Sequence, residues 1–143
     1  MRNELKGLTR NSPRPLQALF LELFDWLDRF EFKKERSVDR SGKPGGTVKF
    51  TSKGNQVCSL QVSPARDIHL HFGTAFFAEQ GLLEELREII FLDIQPHVVG
   101  DSNGTALWKT KSGQKIILTG SDLSIAATIV EKLTPLFDRI RKE

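Results

Sequence analysis

Two imidazoles two positions apart are the first chemically distinctive feature of the chain. They lie in Asp-Ile-His-Leu-His-Phe, residues 67–72. Alternate side chains of an extended strand share a face. His69 and His71 are therefore expected to point one way with Asp67, and Ile68, Leu70 and Phe72 the other way. A His-x-His pair offers two nitrogen ligands to one zinc or iron ion, which then needs at least one or two more. His97, Asp101 and Asp67 are the candidates that the sequence supplies. The plainer reading is the solvated side of a half-buried strand, where histidine is an ordinary polar occupant. A third reading is a surface for a polar ligand or a protein partner.

Two charged groups offer other chemistry. Glu22, Asp25 and Asp28 fall on the polar side of an early helical pattern, where exposed carboxylates hold hard cations loosely. The plainer reading is a solvent-facing helix surface, with Asp25 and Arg29 as an i, i+4 pair. Lys33, Lys34, Arg36, Arg40, Lys43, Lys49 and Lys53 stand against Glu35 and Asp39 in the segment 33–53. Such a stretch can follow a phosphate backbone. It lacks the glycine spacing of a P-loop. Phe50 is its only aromatic between residues 40 and 53, and the chain has no tyrosine, so no stacking platform is expected. The plainer reading is an edge hairpin whose lysines discourage edge-to-edge pairing.

Cys58 shares a strand face with Leu60 and Val62 and reads as a small core residue, with no neighbouring base to make it a nucleophile. No Gly-x-Ser-x-Gly elbow, His-Glu-x-x-His signature or Gly-x-Gly-x-x-Gly loop occurs. The sequence names no catalytic residue and no certain cofactor. Iron or zinc is the cation that the histidines would take.

These residues need elements to position them. The chain has 143 residues, 27% charged and 38% hydrophobic, which suits one globular domain with a core of its own. Residues 1–11 read as a flexible lead-in and 12–143 as the domain. The start carries no apolar signal core and the chain has one cysteine, so the expected setting is the cytoplasm. Ser12 and Pro13 open a helix whose apolar stripe is Leu16, Leu19, Phe20, Leu23, Trp26, Leu27 and Phe30. Three or four antiparallel strands are expected in 33–73, with "SGKPGG" (41–46) as a turn and "GN" (54–55) as a hairpin dipeptide. Helix follows over 74–92, broken at Gly81, and residues 93–104 read as loop or irregular strand. A hairpin over 106–120 leads to a last helix, capped by Ser121 and kinked or restarted at Thr134-Pro135. The order helix, strands, helix, hairpin, helix is α+β: one antiparallel sheet with helices packed on one face.

From about residue 56 onward the chain resembles the small YdhG-type family, domains of largely unknown function with a frataxin-like fold. The matching segments are "VCSLQVSPARDIHLHFG", "TAFFAEQGLLEEL" and "KTKSGQKIILTGSDLSIAATIVEKL". The first half departs from the family: "SVDRSGKPGGTVKF" has no tryptophan where the family carries a Trp-Gly-x-Pro-like stretch, and 93–105 looks inserted. The resemblance implies a frataxin-like fold and, for one branch, a role in carrying intracellular iron; frataxin-like proteins use acidic residues near the first helix for weak iron contacts. The expectation is a small cytoplasmic non-enzymatic binding protein, YdhG-like, with weak metal contacts at His69 and His71 or at the Glu22–Asp28 ridge. The alternatives are a nucleic-acid-associated accessory protein using the basic stretch, and a protein-interaction module using the open sheet face.

Overall fold

A computed structural model describes residues 14–38, 44–62, 68–94, 107–109, 113–118 and 124–140. Helix α1 (Arg14–Asp28) opens the described chain. A meander follows: β1 (Lys33–Val38), β2 (Pro44–Ser52), β3 (Asn55–Val62) and β4 (Ile68–Gly73). Two short helices, α2 (Thr74–Glu79) and α3 (Leu83–Glu88), come next, and α3 runs on as a π-helical turn over Ile89–Ile94. Strands β5 (Leu107–Lys109) and β6 (Gly113–Leu118) and helix α4 (Ser124–Asp138) complete it. The six strands form one sheet in the order β1-β2-β3-β4-β6-β5, every neighbouring pair antiparallel. This is the α+β architecture expected from the sequence.

The helices sit on one side because each has one apolar stripe and the sheet has one apolar face. Helix α1 buries Leu19, Phe20, Leu23, Phe24, Trp26 and Leu27, and α4 buries Ala126, Ile129, Leu133, Leu136 and Phe137. The sheet meets them with Val48, Phe50, Cys58, Leu60, Ile68, Leu70 and Phe72, all at 0% exposure. Phe137 is the centre of the packing. Its ring lies 5.1 Å from Trp26, 5.3 Å from Phe30, 5.8 Å from Phe77, and 6.3 Å from both Phe32 and Phe72. These separations are those of offset and edge-on aromatic pairs, which gain beyond the area they bury. No described helix is long and apolar enough to cross a membrane.

Local chemistry explains where the elements stop. The amides of Arg29, Phe30 and Glu31 donate at 3.2 Å to carbonyls three residues back, tightening the last turn of α1. Glu31 then takes φ 60°, a left-handed conformation that ends the helix. Gly81, at φ 73°, separates α2 from α3 as the sequence suggests. The β2–β3 turn is one residue earlier than the Gly-Asn dipeptide. Ser52 pairs with Asn55, and the two loop residues are Lys53 and Gly54, at φ 53° and 80°. Positive φ at both positions is the type I′ requirement. Strand β2 also starts inside the expected 41–46 turn, at Pro44; a proline is tolerated at the first position of a strand. Helical structure extends to Ile94, past the expected loop boundary, because Leu82, Leu86, Ile90 and Ile94 keep one buried stripe. Helix α4 contains Pro135 and is one element to Asp138 rather than two. The apolar face formed by Ile129, Leu133, Leu136 and Phe137 outweighs the single lost backbone bond. The lead-in and the caps at Ser12, Pro13 and Ser121 lie outside the described residues.

Truncating Phe137→Ala removes the shared partner of five rings and is expected to destabilise the fold by about 3–5 kcal/mol, read from the midpoint of denaturant unfolding. Lys53→Asn places a residue that accepts positive φ at the first turn position. It is expected to raise stability by up to about 1 kcal/mol, and an unchanged or lower midpoint would contradict the turn assignment.

Candidate functional site

Strand β4 is central, with β3 on one side and β6 on the other. Ile68, Leu70 and Phe72 point into the helix-covered core, so His69 and His71 face the opposite side, each half-buried. Thr47, Lys49, Thr51, Ser59 and Gln61 alternate with buried neighbours in the same way and are not buried. The register runs one row across all six strands: Glu35, Lys49, Ser59, His71, Lys115, Trp108. A second row is Thr47, Gln61, His69, Ile117. Among the described residues, no helix covers this face.

One end of β4 is shaped further by an irregularity in β3. Phe50 pairs with Cys58 but Thr51 pairs with Gln56, which leaves Val57 as an extra residue. A bulge of this kind re-aims side chains next to it. Val57 is buried, and the Gln56 amide reaches His71, Nε2 to Nδ1 at 3.4 Å. The bulged backbone crowds the end of β4. A Cβ on Gly73 would stand 2.2 Å from the carbonyl oxygen of Gln56, closer than any side chain allows. Beside these residues is a cleft of about 180 Å³ lined by Asn55, Gln56, His71, Gly73, Ala75 and Phe76.

The other candidates are dispersed. His97, Asp67 and Asp101 lie outside the described residues. Among the described residues, no three His, Cys, Asp or Glu side chains gather as a metal site. The acidic ridge is on α1, on the helix side of the sheet, away from the histidines. Glu22 and Asp25 border a shallow groove of about 270 Å³ with Trp26, Arg29 and Val130. Asp28 instead accepts from the ammonium of Lys34.

Strand alternation divides the basic stretch. Lys34 and Arg36 pair with Phe50 and Val48 and so belong to the helix side, whereas Lys33, Glu35 and Lys49 belong to the histidine side. There Lys33 is 3.4 Å from Glu35. Arg40 and Lys43 are outside the described residues.

Cys58 is fully buried, and burial pushes its thiol well above the usual range. Trp26 is core and donates from Nε1 to Thr134 Oγ1 at 3.0 Å. The backbone of Trp108 lies in β5, and its side chain is outside the description.

Sequence reasoning did not find Asn55, Gln56, Gly73, Ala75 and Phe76 beside His71. Only cross-strand register brings them together, and the one local signal was a glycine ending an apolar strand. No protein-family model matches the chain, and neither a curated protein nor a solved structure matches it.

Cys58 is expected to resist a thiol reagent at about pH 8 in the folded protein and to react fully in denaturant, because the thiolate is the reactive form and burial disfavours it. Rapid labelling of the native protein would contradict the packed β3 face.

Proposed function

We propose that the protein is a small non-enzymatic binding module whose binding surface is the bare side of the sheet, centred on His69 and His71. One observation supports this most directly. The described helices lie on the apolar side, while Lys49, Ser59, Gln61 and the two imidazoles alternate with buried residues and belong to the other side. A solvent-facing antiparallel sheet presents side chains on a rigid backbone, which lowers the ordering cost of binding. The kinship with the YdhG-type family belongs to the same proposal. It rests on the segments from residue 56 onward, and helices on one side of an antiparallel sheet are compatible with it. A cytoplasmic setting goes with a single buried cysteine.

Weak contact with iron(II) or zinc would use His69 and His71 as two nitrogen ligands and draw the others from outside the described residues, His97 first. Binding of a nucleic-acid backbone has less support, since strand alternation sends Lys34 and Arg36 to the other side of the sheet from Lys33 and Lys49.

The test compares wild type, the double variant His69→Ala/His71→Ala and the helix-side control Glu22→Ala/Asp25→Ala as baits for cross-linked partners, and in parallel as hosts for zinc titration. The reading expects a partner retained by wild type and control and reduced about tenfold or more by the histidine variant, a difference of about 1.4 kcal/mol. Equal capture by all three proteins would overturn it. Zinc binding of equal strength in wild type and double variant would remove the metal contact.

A further inference from the structure

The sheet ends at β1 on one side and at the three-residue β5 on the other. Among the described residues, no strand pairs with the outer side of β1. Such an edge presents backbone N–H and C=O groups to any strand that approaches. Its charges decide which strand that is. We propose that β1 pairs antiparallel with β1 of a second copy of this chain, across a two-fold axis at Lys34.

The residues of the edge select that register. Opposite residues of an antiparallel pair share a face, so Lys33 and Glu35, on the histidine side, meet only residues of that side. An axis at Lys33 sets Lys33 against itself and joins no opposite charges within β1. An axis at Glu35 sets Glu35 against itself and Lys34 against Arg36. An axis at Arg36 sets Arg36 against itself and again joins no opposite charges. The axis at Lys34 sets Lys33 against Glu35, and the symmetry makes that pair twice. Opposite charges facing each other across strands stabilise the pairing, and like charges weaken it. One like pair remains, Lys34 against its copy. It falls on the helix side, where Asp28 of the same chain already holds each ammonium.

Lysines alone would repel every strand and leave the edge protected. Glu35 makes the row its own complement. The Lys33 and Glu35 side chains are 75% and 54% exposed, which leaves both open to a facing row. The irregularity of β1 lies between Arg36 and Val38, beyond the residues that this register joins. The pairing continues the sheet into the second copy, with both histidine sides on one surface. A contact of one short strand from each copy is smaller than a standard interface of roughly 1,200 Å² or more, so the dimer is weak and concentration-dependent. Neither histidine takes part, so this inference stands apart from the sheet-face reading.

The test is sedimentation equilibrium of the full chain over a wide range of concentration. It compares wild type, Lys33→Glu, Glu35→Lys, the double variant carrying both changes, and an equimolar mixture of the two single variants. Wild type is expected to dimerise reversibly. Each single variant sets like charges opposite one another and is expected to weaken association by about tenfold or more. The double variant exchanges the signs and is expected to recover wild-type association. In the mixture, each single variant finds its complement in the other, so dimers are expected where neither variant forms them alone. In wild type, amide proton–nitrogen NMR is expected to show concentration-dependent shifts at Lys33, Lys34, Glu35 and Arg36. A wild type that stays monomeric at every concentration overturns the proposal. So does association that both single variants retain, or a double variant and a mixture that stay as weak as the single variants.

Discussion

The aromatic packing around Phe137 is the constraint from which the rest of the architecture follows. One ring near the end of α4 touches Trp26 from α1, Phe30 and Phe32 from the passage into β1, Phe72 from β4 and Phe77 from α2. The sequence separations are large, so the cluster closes the fold by joining its two ends. It also fixes the side of the sheet on which the helices lie. A ring that must reach α1, α2 and α4 while resting on Phe72 leaves those helices one face to share. Leu60 and Leu70 extend the same floor along β3 and β4.

The described helices share one face of the sheet, and strand alternation then decides what occupies the other. Each buried residue on β4 has a polar neighbour that must point outwards, and the same holds for Ser59 and Gln61 on β3 and for Lys49 on β2. The histidine spacing is thus set by the core. A one-residue slip of β4 would put both imidazoles under α2 and α4 and expel Leu70 and Phe72. The depth of the aromatic packing forbids that slip, so the core holds the outward surface in register. The Val57 bulge belongs to both sides: it buries Val57 in the core and brings the Gln56 carbonyl against Gly73 at the end of β4.

The fold was legible where one element carries its own signal. The stripe from Leu19 to Leu27 marks α1, the alternation in residues 68–72 marks β4, and Gly81 marks a helix break, because period and turn chemistry are local properties. Legibility failed where the deciding contact is across strands. Lys53 shows no preference for positive φ, so the turn looked better placed at Gly54-Asn55; the pairing of Ser52 with Asn55 decides otherwise. The charge run 33–53 looked like one patch because adjacency in sequence was read as adjacency in space, and alternation splits it between two faces. Among the site candidates, His69 and His71 were readable as outward-facing partners. The acidic ridge was readable as a helix surface, but not as lying on the far side of the sheet. The cleft was not readable at all: a bulge belongs to a pair of strands.

That bulge also breaks the equivalence of the two histidines. By alternation alone they are interchangeable, two imidazoles on one face. In the sheet, His69 lies in a row with Thr47 and Gln61, where β2, β3 and β4 are regular. His71 lies beside the irregular turn of β3, where Gln56 reaches its Nδ1 and the cleft begins. A carboxamide 3.4 Å from Nδ1 gives His71 a rotatable polar neighbour, and the imidazole tautomer decides which of the two donates. The two imidazoles share a face but not their neighbours: Gln56 and the cleft lie beside His71, while Thr47 and Gln61 stand in the row of His69.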